Sequence, residues 1–222
     1  MDEAPVEIVT GGQVTASVIW LHGLGADGHD FEPVVGELRR SGARGVRFIF
    51  PHAPVRPITL NGGMPMRGWF DIKDLSGAAP SDEAGLRESE GLVRRLIDNE
   101  NSRGVPPERV IVAGFSQGGA TALHVVQRYP RRLAGVIGLS CWLPPLAGGA
   151  DAEGAARHTL PIFMAHGSYD PVVPLQLGRA ARDCLQGLGH QVAWREYPME
   201  HAVCMEEIAA IDAWLAEVLS SS

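Results

Sequence analysis

Short, nearly continuous apolar runs alternate with amphipathic stretches along most of the chain. Residues 16–21, 46–50, 109–113, 133–140 and 160–166 carry few polar interruptions, the pattern of parallel strands covered on both faces. Residues 191–197 predict a last strand, and 6–9 a short edge strand closed by Thr10-Gly11-Gly12. Helices are predicted over 30–40, with Phe31, Val34, Val35 and Leu38 on one face, and over 81–100, with Leu92, Val93, Leu96 and Ile97. Further helices are expected at 120–126, 175–186 and 202–219, the last with Ile208, Ile211, Leu215 and Val218 at the helical period. Strands that alternate with helices define an α/β class: a doubly wound, mostly parallel sheet flanked by helices. A chain of 222 residues buries roughly 70% of its unfolded surface, so residues 1–222 read as one domain.

Two stretches break the pattern. Residues 56–80 hold Pro, Gly and Asn at turn-forming positions together with Met64, Met66, Trp69 and Phe70. Such a loop either lines a pocket or folds back as a satellite apolar cluster, and the pattern does not separate the two. A second Pro- and Gly-rich stretch follows Ser140 and runs to about residue 154.

Charge and cysteine content narrow the partners. A net charge of -7, with no basic stripe, argues against nucleic acid and anionic membrane, which would be repelled at long range. Three cysteines, Cys141, Cys184 and Cys204, form no CxxC pair and suggest neither a disulfide framework nor a zinc site. The start Met1-Asp2-Glu3-Ala4-Pro5 is acidic and unlike a secretory signal, and no run is long enough to span a membrane, so a cytoplasmic protein is expected.

Chemistry enters at Gly114-Phe115-Ser116-Gln117-Gly118-Gly119, between a predicted strand and a predicted helix. Gly-x-Ser-x-Gly in that setting is the signature of a nucleophile elbow, whose flanking glycines let strand and helix approach each other. By itself it is also compatible with a glycine-rich turn and an ordinary N-capping serine. A serine nucleophile needs a histidine base, and the base needs a carboxylate, in the chain order Ser, acid, His on this fold. Of eight histidines, only His201 sits just beyond the last strand and before the final helix. His166 and His190 read as a loop histidine and an exposed turn. Asp170 follows a strand end in a turn fixed by Pro171 and Pro174, whereas Asp151 lies in a glycine-rich loop and Glu196 inside a strand. The oxyanion donors expected are the backbone N–H groups of Gln117, after the nucleophile, and of Leu24, in the loop His22-Gly23-Leu24-Gly25. His22 itself reads as a loop-bracing side chain.

Five segments in order, Leu21-His22-Gly23-Leu24-Gly25-Ala26-Asp27, Arg67-Gly68-Trp69-Phe70-Asp71, Gly114 to Gly119, His166-Gly167 with Asp170-Pro171-Val172-Val173-Pro174, and Tyr197-Pro198-Met199 with His201, resemble the phospholipase/carboxylesterase family. The likeness covers almost the whole chain. It implies an α/β-hydrolase with Ser116, Asp170 and His201 as triad and Leu24 and Gln117 as oxyanion donors. It also implies that the loop with Trp69 and Phe70, together with Leu24, contacts the substrate; relatives are often dimeric, which is compatible with a homodimer, although the pattern shows no decisive interface. The function expected first is a serine carboxylesterase on small to medium-chain esters, working through an acyl-enzyme. An acyl-protein thioesterase or lysophospholipase would use the same triad, and a non-catalytic binding protein on the same scaffold is the alternative of a different class. Positioned dipoles supply the stabilisation, so no metal or organic cofactor is required. One position departs from bacterial relatives, which usually have Gly before the catalytic histidine: Glu200 sets a carboxylate beside the base, with consequences for optimal pH and substrate access.

Overall fold

The computed structural model describes residues 3–42, 44–74, 81–145 and 158–220. Seven strands form the main sheet: β1 (Val6–Thr10), β2 (Ala16–Leu21), β3 (Val46–Phe50), β6 (Val110–Phe115), β7 (Gly135–Leu139), β8 (Pro161–Gly167) and β9 (Gln191–Tyr197). Their order is β1-β3-β2-β6-β7-β8-β9, and every pairing is parallel except the edge pair β1 and β3. A separate antiparallel hairpin joins β4 (Val55–Ile58) to β5 (Met64–Arg67). The helices are α1 (Arg39–Gly42), α2 (Glu83–Ser102), α3 (Gln117–Val126), α4 (Leu175–Gly187) and α5 (Met205–Val218).

The unbroken apolar runs of the sequence are the inner strands, because a residue on either side of the pleat meets a helix layer. Along β2, Ile19 and Leu21 face one cluster with Leu86, Val93 and Ile97 of α2 and Leu123 of α3. Val18 and Trp20 face the other, with Phe31, Val35 and Leu38 before α1 and Ile208, Ile211 and Leu215 of α5. Each such side chain stabilises the fold by about 1.5–3 kcal/mol relative to exposure. β1 has only one protected face and alternates half-buried with exposed positions.

Four expectations are modified. The helix predicted over 30–40 is a 3₁₀ segment, Glu32–Glu37, broken at Leu38 (ψ 67°) before the single turn of α1. Pro33 lacks the N–H that would extend an α-helical ladder and Gly36 weakens it, while the apolar stripe still reaches the core through Phe31, Val35 and Leu38. In the irregular stretch, Gly62 and Gly63 (φ 67° and 79°) turn the chain between β4 and β5. The helix expected from residue 81 starts at Glu83, where Asp82 caps it by accepting the Gly85 N–H at 3.0 Å. α5 starts at Met205 rather than at residue 202, leaving residues 201–204 in a loop. Residues 75–80 and the glycine-rich stretch with Asp151 lie outside the described residues.

Glu207, in the first turn of α5, is wholly buried, and neither carboxyl oxygen has a hydrogen-bond partner among the described residues. Burial pushes its pKa up to about 8, only partly opposed by the nearby Cys204 backbone amide. An unfolded glutamate titrates near about 4.3, so between those two values the native state holds a proton that the unfolded chain has released. The associated stability is complete below the unfolded value and is lost as pH rises through the folded one. Glu207→Gln is therefore expected to gain on the parent in thermal denaturation as pH rises from about 5 to about 8, and to level off above that. A difference in Tm that does not change with pH would show that the carboxyl titrates normally.

Candidate active site

Ser116 joins the end of β6 to the start of α3 with φ 54° and ψ -120°, a conformation that costs a non-glycine residue about 1–3 kcal/mol. Close backbone approach enforces it: a Cβ on Gly114 would lie 2.3 Å from the Gly118 carbonyl, and one on Gly118 would lie 2.3 Å from the Leu21 carbonyl oxygen. Ser116 occupies the N-cap position of α3, yet its side chain makes no capping bond. Its Oγ is instead 2.9 Å from His201 Nε2.

His201 Nδ1 is 2.7 Å from Asp170 Oδ2, which completes a row of hydroxyl, imidazole and carboxylate. The Asp170 side chain is fully buried, and its other oxygen accepts the N–H groups of Val172 (2.9 Å) and Val173 (2.8 Å). The acid is therefore fixed by its own turn before it meets the base. Acid and base loops are also tied together: Ser168 N–H donates to Tyr197 O at 2.8 Å and Tyr169 N–H to Met199 O at 3.1 Å. Gly167 allows this, since a Cβ there would come within 2.3 Å of the Glu200 carbonyl oxygen. The His201 ring packs against Phe115, with centroids 4.7 Å apart. In such a row the imidazole can take the hydroxyl proton while the carboxylate fixes its tautomer and stabilises the imidazolium.

Gln117 opens α3, where the first N–H groups have no intrahelical acceptor. The facing loop is a tight turn in which Ala26 N–H donates to Gly23 O at 3.3 Å, with Gly25 at φ 79°. Leu24 N–H has no acceptor among the described residues. A Cβ on Gly23 would lie 3.7 Å from Ser116 Cβ, so this turn lies directly over the hydroxyl-bearing residue.

Trp69 and Phe70 were expected to contact substrate. Trp69 has no exposed surface, and Phe70 retains 4%. Both belong to the main core rather than to a satellite cluster. Trp69 is a joint between that turn and the start of α3: its indole N–H donates to His22 O at 2.8 Å, its backbone N–H to Gln117 Oε1 at 2.9 Å, and its carbonyl accepts the Ser89 hydroxyl. Gln117 Nε2 returns a bond to Phe70 O at 2.6 Å. Phe70 meets Trp142 edge to face at 6.1 Å, and Leu24 remains half-buried at the loop.

Three contributors escape the sequence reading. The Gln117 side chain is one; the signal was there, since a glutamine in a helix whose every residue is buried must find buried partners. The second is Phe115, whose ring packs at a tilt against the base. The third is His166, which lies within β8 and is buried, not in a loop; its Nε2 donates to Val173 O at 2.8 Å and stands 3.5 Å from Asp170 Oδ2. Burial draws its pKa down, which keeps the ring neutral behind the acid. The other candidates lie elsewhere. His190 accepts the Leu160 N–H at the opposite sheet edge, and Glu196 pairs with Arg179 and the Trp194 indole on β9. Glu200 is exposed beside His201.

A mostly parallel sheet with helices on both faces and a serine elbow at the carboxyl end of a central strand defines the chain as an α/β-hydrolase. The profile of the phospholipase/carboxylesterase family matches residues 4–219, and the chain belongs to that family. It is 41% identical to acyl-protein thioesterase 1 of Gibberella zeae over 226 residues, covering 97% of this chain and 96% of that protein. It is 42% identical to acyl-protein thioesterase 1 of Neurospora crassa over 214 residues, covering 92% and 87%. Among solved structures, Zea mays acyl-protein thioesterase 2 superposes with a TM-score of 0.85 at 31% identity, covering 97% of this chain and 98% of that one. Among the described residues, no helix is long and apolar enough to cross a membrane.

Proposed function

We propose that the protein is a serine hydrolase whose substrates are S-acyl thioesters, acting through Ser116, His201 and Asp170. The observation that carries the chemistry is the Ser116 hydroxyl, held out of its capping role and bonded to an imidazole that a buried carboxylate orients. In this reading His201 takes the Ser116 proton as Oγ attacks the acyl carbon. Leu24 and Gln117 N–H groups receive the resulting oxyanion, a contribution of roughly 10²–10³ in rate for one donor. The thiolate then leaves with the proton held by His201. Water, activated by the same imidazole, cleaves the acyl-enzyme, releasing the carboxylic acid and restoring the serine.

The preference for thioesters over the oxygen esters expected first from sequence is supported by the relatives named acyl-protein thioesterase, which match most of the chain. The family description, phospholipase/carboxylesterase, favours a second reading in which carboxylic esters are the substrates of the same machinery. A series of p-nitrophenyl esters and S-acyl peptides matched in acyl length separates them. The thioesterase reading expects higher kcat/KM on the S-acyl peptides at matched length; a higher value on the oxygen esters returns the assignment to a carboxylesterase. A binding protein on this scaffold would leave a fluorophosphonate unreacted at Ser116, where the hydrolase is expected to be labelled.

A further inference from the structure

We infer that His22 sets the oxyanion hole: its imidazole holds the Gly23 carbonyl and thereby turns the N–H of Leu24 toward the reacting oxygen. The inference rests on the roles proposed above for Ser116, Leu24 and Gln117, and makes His22 a positioning residue that touches no substrate atom.

The buried His22 ring makes two contacts. Nε2 lies 3.0 Å from the backbone N of Ala53, whose N–H can only donate, so Nε2 is the unprotonated nitrogen. Nδ1, 2.7 Å from Gly23 O, then carries the proton and donates it. The opposite tautomer would set N–H against N–H at Ala53 and lone pair against lone pair at Gly23. Burial keeps the ring neutral, its pKa pushed down to about 4 despite the opposing pull of the Gly23 carbonyl and Asp27. The His22 backbone is held as well, by the Trp69 indole on its carbonyl.

The Gly23–Leu24 peptide is trans and planar, so its C=O and N–H point in opposite directions. Fixing the carbonyl on the imidazole turns the Leu24 N–H away from the ring, where no protein acceptor meets it among the described residues. Gly23 packs on the elbow, with a Cβ position 3.3 Å from the Phe115 ring and 3.7 Å from Ser116 Cβ. The only other hold on that carbonyl among the described residues is the turn bond from Ala26, longer at 3.3 Å. Without the imidazole only that longer turn bond holds the carbonyl, and the donor loses its aim.

Two substitutions separate the two ends of the ring. In His22→Asn the amide nitrogen stands where Nδ1 stands and can still donate to Gly23; in His22→Gln the longer amide replaces Nε2 and reaches Ala53 only. His22→Gln is expected to lower kcat roughly 10–100-fold with KM within about twofold. The same variant should weaken an acyl trifluoromethyl ketone, whose serine adduct carries an oxyanion, by a comparable factor. His22→Asn should recover kcat to within roughly fivefold of the parent. Equal losses in both variants, or unchanged ketone affinity in His22→Gln, overturn the inference. Should either variant fail to fold, ¹⁵N NMR of the unaltered protein decides: the Nδ1–H tautomer of His22 is expected, and the Nε2–H tautomer overturns it. The underlying reading is tested apart, since it fails if Ser116→Ala stays active and the ketone does not inhibit the unaltered enzyme.

Discussion

Ser116→Ala is expected to lower kcat by roughly 10⁴- to 10⁶-fold on any ester or thioester the enzyme accepts, with the fold intact. A loss of that size is expected because three groups act as one: with the hydroxyl gone, the 2.9 Å contact to His201 has no proton to transfer. What remains is stabilisation by the oxyanion donors and binding alone. Stability should hardly change. Alanine carries a Cβ as serine does, so it bears the same positive φ, and the serine side chain contributes no capping bond to α3. Circular dichroism and thermal denaturation, run beside a single-turnover assay, check both halves. Activity within tenfold of the parent would remove Ser116 from the mechanism.

The second large effect is expected from Trp69→Ala. Removing a fully buried tryptophan costs about 3–5 kcal/mol in transfer and cavity terms, which for a chain of this length lowers Tm by roughly 6–20 °C. The loss has a functional side that a cavity elsewhere in the core would lack. The indole bonds the carbonyl of His22, and the Trp69 backbone is bonded to the Gln117 side chain, so one residue braces both the turn and the helix start that carry the proposed oxyanion donors. At a temperature where the variant is still folded, kcat should fall more than KM rises. Trp69→Phe keeps most of the volume and leaves the His22 carbonyl without its partner; it should lose about 1–3 kcal/mol and show the same direction in kcat. A variant that unfolds earlier but turns over normally would make Trp69 a core residue and nothing more.

Much of this site is legible in the sequence, for a physical reason. Strands buried on both faces carry few polar residues to blur their limits, so their carboxyl ends can be placed within a residue or two, and chemistry in a parallel sheet gathers at those ends. Ser116 and Asp170 follow such ends and His201 follows the half-exposed edge strand β9, and the structure brings the three into one hydrogen-bonded row. The helix over 30–40 was less legible, because an apolar stripe at 31, 34, 35 and 38 says which residues are buried but not which ladder carries them. The structure puts a 3₁₀ segment there, with Pro33 in its first turn. Trp69 was legible as important and not as buried: in a stretch without periodicity, its place depends on His22 and Gln117, distant partners that no local pattern encodes. Substrate class is written least clearly of all, since the same hydroxyl, imidazole and donors serve an oxygen ester and a thioester.

The seating of Gly167 under the Glu200 carbonyl has a practical consequence for redesign. Position 200 has its main chain packed on Gly167 and an exposed side chain, one residue before His201 in the chain. The charge of that exposed side chain can therefore be rewritten, acidic to neutral to basic, without disturbing the packing beneath it. Position 167 offers no such freedom, because any added carbon would pry the histidine loop off the aspartate turn.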